Sequence, residues 1–306
     1  MDNDFQVSQE EDTFPKNINL EHYAYRYAYV RSTDSRNFAD PGQDYLTFTP
    51  QENTFTFALC DGVSQSFFGN IGAKLLGDGL LSWLSSNNVE HEHGRLQASL
   101  SNFLVNYAKE TVQIVEKYSL PEKVPSMLRD VLEKKREHGS ESTFVCGRID
   151  FPSRTLSRGR VLFAWMGDSR LRFWRNDQEC SQELDGEFIT SQRFSTKKGP
   201  VGGDPNVFIA DLGSTENDNR ITKVLAYSDG ITSIDGYKDY ISQKMLFDLL
   251  ISAMESPTSD DISLIEIFTD TSARKTQQTH DKDATINIDR GLTSASKDVP
   301  TKPRPF

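Results

Sequence analysis

Several apolar stretches of this chain end in, or directly follow, an acidic residue, and this pattern constrains the fold more than any other feature. Residues 57–63 and 224–230 are both uncharged until they end around an Asp-Gly pair. Uncharged runs of this length are typical of buried strands. The acids concerned are Asp61, Asp168, Asp229 and the adjacent pair Asp260 and Asp261. We therefore expect strand ends to deliver several carboxylates to the rim of a sheet.

The order of the periodic segments indicates the fold class. Strands are predicted at 22–31, 44–49, 54–59, 141–149, 160–166, 171–174, 207–212, 221–227 and 262–268. Helices are predicted at 69–85, at 96–135 with a break at Pro121 and Pro125, and at 240–254. Strands and helices do not alternate strictly, so the sequence favours an α+β fold, with antiparallel sheets covered by helices.

Composition excludes several classes of partner. The chain has 306 residues and a formal net charge of −11, which argues against nucleic acid and anionic membranes. No run reaches the roughly 18 to 20 apolar residues of a membrane span. The acidic N-terminus has no apolar core of a signal peptide. The three cysteines have no CxxC spacing and are expected to be buried thiols in a reducing, cytoplasmic setting.

Composition also sets the expected boundaries. Residues 1–19 are polar and are predicted to be disordered, residues 20–269 to form one domain, and residues 270–306 to form a disordered tail. Within the domain, 32–42 and 176–206 are rich in turn-forming residues and are expected to be loops.

The strand-end acids favour a particular chemistry. Carboxylate oxygens without a matching histidine cluster are the ligands of hard cations such as Mg²⁺ or Mn²⁺. Two such ions about 3.5–4 Å apart are a known device for hydrolysing phosphate esters. The alternative, that these acids cap turns and helices, is credible for any one of them but less so for the set.

The motifs that carry this pattern resemble those of a known family. In order along the chain they are Gly42-Gln43-Asp44, Asp61-Gly62, Gly139-Ser140-Glu141-Ser142-Thr143, Gly167-Asp168-Ser169-Arg170, Ser228-Asp229-Gly230 and Asp260-Asp261-Ile262-Ser263. This series resembles the protein phosphatase 2C family, the metal-dependent serine/threonine phosphatases, over about residues 22–268. The resemblance implies two antiparallel β-sheets packed as a sandwich between helix layers.

The resemblance also implies roles for individual residues. Asp61 would contact both metals, the Gly62 carbonyl would reach one of them, and Asp229 and Asp260 would hold the first. Asp44 would support the second site, and Asp168 would contribute to a third metal found in many relatives. Asp61, Asp229 and Asp260 would thus form the catalytic set. Asp44 and Asp261 have the most credible structural alternatives, as a loop residue and a turn residue.

This chain departs from the family pattern at three positions. The family usually has Glu where Gln43 stands, as a ligand of the second metal, so we expect weaker affinity at that site. The family's phosphate-binding arginine aligns with Ala39, and Arg36 or Arg31 are possible substitutes. Val63 replaces a histidine proposed as general acid, which bacterial-type members commonly lack. The short segment 171–228 leaves little room for a large substrate-binding flap.

The resemblance implies a cytoplasmic phosphatase that removes phosphate from serine or threonine with Mn²⁺ or Mg²⁺, two ions or three. A phosphoprotein is the expected substrate and a cognate Ser/Thr kinase a further expected partner. Two alternatives remain open at this point. One is a pseudophosphatase that binds phosphoproteins or a kinase without turnover, and the other is an enzyme acting on small phosphate esters.

Overall fold

The computed structural model describes residues 4–87, 92–121, 124–176, 178–213, 219–238 and 241–269. Within them the strands are β1 (Phe5–Gln6), β2 (Thr13–Asn19), β3 (Ala24–Val30), β4 (Tyr45–Pro50), β5 (Thr54–Gly62), β6 (Glu141–Asp150), β7 (Arg160–Met166), β8 (Arg170–Arg175), β9 (Gln178–Glu179), β10 (Arg193–Ser195), β11 (Gly199–Val201), β12 (Asn206–Asp211), β13 (Ile221–Tyr227) and β14 (Ile262–Phe268). The helices are α1 (Thr33–Phe38), α2 (Gly69–Ser86), α3 (His93–Lys117), α4 (Ser126–His138) and α5 (Gln243–Met254).

The strands form two antiparallel sheets. The first contains β1-β4-β5-β6 in that order, and β6 continues into β10 and β11 near its start and into β7 and β12 along the rest of its length. The second has the order β2-β3-β14-β13-β8-β9. The chain crosses from the first sheet to the second between β7 and β8, at the Gly167-Asp168 turn.

Three apolar clusters hold the layers together. The largest lies between the two sheets and contains many aromatic rings, such as Tyr25, Phe57 and Phe173. A second joins the first sheet to α2 and α3, and includes Leu80 and Leu100. The third packs α5 against the second sheet. The result is a helix–sheet–sheet–helix sandwich, which confirms the predicted α+β class and architecture.

The expectation of a disordered segment at 1–19 is wrong for residues 4–19, which contain β1 and β2. β1 pairs with β4 and β2 pairs with β3, so both are edge strands. Their few apolar side chains are placed where they pack: Val7 is buried, Ile18 contacts the core between the sheets, and the Phe14 ring centroid lies 5.2 Å from that of Phe247. Because the segment is polar on average, its composition alone does not indicate these contacts.

Two expected loops also contain regular structure. The segment 32–42 forms α1, whose N-cap Ser32 accepts a hydrogen bond from the Ser35 backbone N–H. The segment 176–206 contains β9, β10 and β11. The predicted tail, 270–306, lies outside the described residues. Among the described helices, none is both long enough and apolar enough to cross a membrane.

Candidate metal centre

Asp61 and Asp168 reach the same place because both lie beside Thr143 of β6. Asp61 is the penultimate residue of β5 and pairs across the sheet with Thr143. Gly167 lies so close to the Thr143 side chain that a larger residue at 167 would overlap it, and its φ of 115° also requires glycine. The Ser169 hydroxyl lies 3.2 Å from Thr143 Oγ1, which fixes the far side of the turn.

Asp229 comes from the second sheet, at the end of β13, where a short 3₁₀ helix begins. The ends of β13 and β14 are tied together by Ser228 and Ser263. The Ser228 N–H donates to the Ser263 carbonyl at 3.0 Å, and the Ser263 N–H donates to Ser228 Oγ at 2.9 Å. Gly230 packs directly on the carbonyl of Asp261, with no space for a side chain. Asp229 therefore lies at the shared end of both sheets.

These placements bring three carboxylates together. Asp61, Asp168 and Asp229 each offer one oxygen, and the three oxygens lie within 4.8 Å of one another. All three residues are half-buried. An all-carboxylate set of this kind suits a hard divalent cation and does not suit the softer metals that prefer sulfur.

Burial and repulsion between the acids dominate the electrostatics of the cluster. Burial raises the pKa of Asp61 well above its usual range, and the neighbouring acids Asp44, Asp229, Asp260 and Asp168 raise it further. Burial also raises the pKa of Asp229, with Asp168 and Asp260 adding to the effect. A divalent cation among these groups would lower both pKa values, because its positive charge compensates the negative charge that burial and repulsion make unfavourable.

A second set of oxygens lies next to the first, around Gly69. The Gln43 side-chain oxygen, Oε1, is buried and has no hydrogen-bond partner among the described residues. A β-carbon at position 69 would lie 2.7 Å from that oxygen and 2.9 Å from the Gly62 carbonyl oxygen. The two neutral oxygens thus face a common space that only glycine leaves free. An orphaned buried acceptor beside a carboxylate cluster fits a further cation ligand.

Asp260 is near the three-carboxylate cluster but is not one of its members. Its charge raises the pKa values of both Asp61 and Asp229. Its Oδ1 accepts the Asp261 backbone N–H at 2.8 Å, and the residue is exposed. Asp260 is thus a neighbour of the trio Asp61, Asp168 and Asp229, and its expected role as a ligand of the first metal stays a prediction.

Asp44 and Asp261 are buried beneath the cluster and are held by hydrogen bonds. Ser263 Oγ donates to Asp44 Oδ2 at 2.8 Å. Asp261 accepts backbone N–H groups from Ser32 and Gln43, both at 2.6 Å. Burial raises the pKa of each carboxyl, and Asp261 adds to the effect at Asp44. Asp261 thus holds both ends of the segment 32–43, which contains α1 and is called the α1 loop below. This agrees with the alternative that Asp261 has a structural role.

The basic side chains near the centre differ from those expected. The Arg36 guanidinium donates to the Met254 carbonyl at 2.6 Å, and Arg31 pairs with Asp12 at 3.3 Å. Both expected substitutes for the missing arginine are therefore engaged in fixing the loop. Arg170 is the closer cation: it donates to the Asp168 carbonyl at 2.9 Å, and its charge lowers the pKa of Asp229, against the larger effect of burial.

Sequence reasoning found the acids but missed the residues that position them. Thr143 is the last residue of the motif Gly139-Ser140-Glu141-Ser142-Thr143. Nothing in that motif shows that Thr143 lies between the ends of two strands. Gly69 carried a signal that could have been used, since α2 begins with a glycine despite its low helix propensity. Gln43, Gly62 and Asp44 lie close to the carboxylate cluster, and what each of them binds stays a prediction.

Comparison with known proteins supports the fold. No protein-family model matches the chain, and no curated protein matches it in sequence. Among solved structures, a bacterial serine phosphatase has a TM-score of 0.53 at 17% identity, covering 80% of this chain and 97% of that one. Serine/threonine phosphatase Stp1 from Staphylococcus aureus has a TM-score of 0.52 at 16% identity, covering 82% of this chain and 99% of that one. The fold is that of the phosphatase 2C-type enzymes, as the motifs implied.

Proposed function

We propose that this chain is a metal-dependent protein phosphatase that hydrolyses phosphoserine and phosphothreonine. The observation that carries the proposal is the cluster of Asp61, Asp168 and Asp229, whose carboxylate oxygens lie within 4.8 Å of one another at the meeting point of two sheets. The shared fold of solved phosphatases agrees with it. The fold alone does not specify chemistry, so the proposal rests on the site.

The residues present fit divalent cations. The three carboxylates form one donor set, and the unpartnered Gln43 oxygen with the Gly62 carbonyl forms a neighbouring one. Mn²⁺ or Mg²⁺ in these sets would activate a water for attack on phosphorus and neutralise the phosphoryl oxygens. Asp61 belongs to the first donor set and directly precedes Gly62 of the second, so it is the residue best placed to serve both.

The protein's own groups orient the reaction. The Thr143 and Ser169 contact fixes the turn that presents Asp168, and the Ser228 and Ser263 contacts fix the strand end that presents Asp229. Their rigidity holds the carboxylates in one arrangement, which is a requirement for catalysis by positioned charge. Arg170 adds a positive charge beside Asp229 that would attract the substrate phosphate.

A pseudophosphatase is the second candidate, favoured by the neutral Gln43 and by Ala39 in place of the family's arginine. Against it, the chain keeps three strand-end acids close together although they repel one another. The raised pKa values of Asp61 and Asp229 show that this arrangement is electrostatically unfavourable. A phosphoprotein-binding module would not need that arrangement. We therefore favour turnover, with a phosphoprotein as substrate.

The test is phosphate release from a phosphothreonine peptide by the wild-type chain and by Asp229→Asn, each with saturating Mn²⁺. Asp248→Asn, an exposed acid on α5, is the matched control. We expect Asp229→Asn to lose about a hundredfold or more in kcat/KM, with the control unchanged. Peptide binding without phosphate release in the wild type would support the pseudophosphatase, and equal activity in both variants would contradict the site.

A further inference from the structure

A groove of about 580 Å³ opens beside the candidate metal centre. Gln43 and Asp260 are among the residues that line it, so the groove borders the candidate metal centre. Its lining residues come from α1 and the segment that follows it, called here the α1 wall, and from the loop after β5 together with the α3–α4 region. A polypeptide whose phosphorylated residue entered the centre would extend into this groove.

The groove has an apolar lining that is exposed to solvent. The Phe38 side chain, at the end of α1, is 74% exposed. The Phe68 and Tyr118 rings also line the groove and pack together with centroids 5.4 Å apart. Phe68 has a φ of 42°, a left-handed conformation that costs a non-glycine residue free energy and tends to persist at functional sites. These three rings give the groove apolar surface that suits an apolar side chain.

The charge in the groove is predominantly negative. Asp34 and Asp40 lie on the α1 wall, and both are exposed. Neither forms an ion pair with any residue in the described ranges. Lys135 also lines the groove, and its Nζ donates to the Ser64 carbonyl at 3.1 Å. The α1 wall therefore complements a basic side chain and repels an acidic one.

We propose that this groove binds the polypeptide flanking the phosphorylated residue and selects substrates with one apolar and one basic side chain near the phosphate. The apolar side chain contacts Phe38, Phe68 and Tyr118, and the basic side chain lies beside Asp34 and Asp40. As a substrate subsite this rests on the proposed function. It deepens that function by excluding small phosphate esters and acidic phosphopeptides as preferred substrates.

The test compares two phosphothreonine peptides of equal length. One carries Leu and Arg next to the phosphothreonine, and the other carries Ala and Glu at the same positions. p-Nitrophenyl phosphate, which is too small to fill the groove, reports on the metal centre alone. Peptide affinity is measured separately, by fluorescence anisotropy of labelled peptides with the Mn²⁺-loaded chain, so that binding is known whether or not phosphate is released.

We expect the wild type to favour the Leu/Arg peptide by about tenfold or more in both affinity and kcat/KM. Phe38→Ala and Asp40→Asn should each remove about three- to tenfold of that preference through KM. Turnover of p-nitrophenyl phosphate should be unchanged in both. Met127→Ala and Asp248→Asn, exposed residues outside the groove lining, are the matched controls and should keep the full preference.

Equal affinity and equal kcat/KM for the two peptides, or a preference for the Ala/Glu peptide, would overturn the assignment of the groove. A preference that survives both Phe38→Ala and Asp40→Asn would do the same. Absence of p-nitrophenyl phosphate and peptide turnover, with the affinity difference retained, would instead contradict the proposed function and support the groove as a peptide-binding site.

Discussion

The Asp261 carboxylate accepts the backbone N–H of Gln43 at 2.6 Å, and this contact joins the start of β14 to the loop that carries α1. The other carboxylate oxygen of Asp261 accepts the Ser32 N–H at 2.6 Å, so one side chain closes the loop at both ends. The loop supplies the Gln43 oxygen to the candidate centre and Phe38 to the groove. Asp261 therefore connects both functions to the second sheet without a place in the carboxylate trio.

Asp261→Ala should destabilise the chain, because two buried backbone N–H groups lose their charged acceptor. We expect a loss of about 2–4 kcal/mol in the free energy of unfolding, measured by urea titration. Asp261→Asn keeps one acceptor and should lose less. Asp248→Asn controls for removal of an acid. A stability of Asp261→Ala equal to that of the control would contradict the role of Asp261 in closing the loop.

Gly69→Ala should impair the centre while leaving the fold intact. The added β-carbon would lie 2.7 Å from Gln43 Oε1 and 2.9 Å from the Gly62 oxygen, so one of these must move. We expect Mn²⁺ affinity, measured by calorimetry, to fall about tenfold or more. Gly94→Ala is the matched control, since nothing lies within 4 Å of its β-carbon. Unchanged Mn²⁺ affinity in Gly69→Ala would show that these oxygens are not ligands.

Gln43→Glu should tighten Mn²⁺ binding, because a carboxylate replaces a neutral amide oxygen that has no partner among the described residues. We expect about a tenfold lower dissociation constant for the weaker site, measured by calorimetric titration. Gln113→Glu, an exposed position on α3, controls for the added charge. If affinity rises equally in both variants, the effect is general electrostatic attraction, and Gln43 is not at a metal site.

Asp61→Asn should stabilise the chain in chelator, and more so as pH rises. Burial and the neighbouring acids raise the pKa of Asp61, so the folded chain holds this proton more tightly than the unfolded chain. The contribution of this group to the free energy of unfolding is therefore fully present below the ordinary carboxyl pKa of about 4. It is lost as the pH rises through the raised pKa of Asp61 in the folded chain. The Tm difference between Asp61→Asn and wild type should be near zero at about pH 4 and about 2–4 °C at about pH 8.

Saturating Mn²⁺ provides the control for that experiment, because a bound cation compensates the charge. With Mn²⁺ the wild type should become the more stable of the two. A Tm difference that does not depend on pH or on Mn²⁺ would show that Asp61 does not carry an uncompensated charge in the metal-free chain.

Much of the fold follows from periodicity. The uncharged run before Asp61 predicts a strand at 54–59, which the structure has as β5, and similar runs predict β13 and β14, because buried strands consist mainly of apolar residues. The sequence does not predict β2, because only a few apolar side chains of this polar segment pack against the rest of the protein. Their packing depends on the neighbouring α5 and β3, which the local sequence does not show. The sequence does not predict α1 for a related reason: the segment that carries it is held at Ser32 and Gln43 by Asp261, more than two hundred positions away.

The candidate site was predictable as a set of acids but not as a geometry. The motifs identified Asp61, Asp168 and Asp229, and the structure brings them together. They could not show how close Asp168 lies to Asp61, because this depends on how closely Gly167 packs on Thr143. The engagement of Arg31 and Arg36 within the α1 loop was equally invisible in the sequence, as it requires the positions of Asp12 and Met254.

The most direct test of the metal centre is phosphate release from a phosphothreonine peptide by the chain after treatment with chelator, before and after Mn²⁺ is restored. We expect no release in chelator and recovery of activity as Mn²⁺ is added, with the wild type folded throughout, as followed by circular dichroism. Undiminished release in chelator, or none from the folded chain at saturating Mn²⁺, would contradict a metal-dependent phosphatase built on Asp61, Asp168 and Asp229.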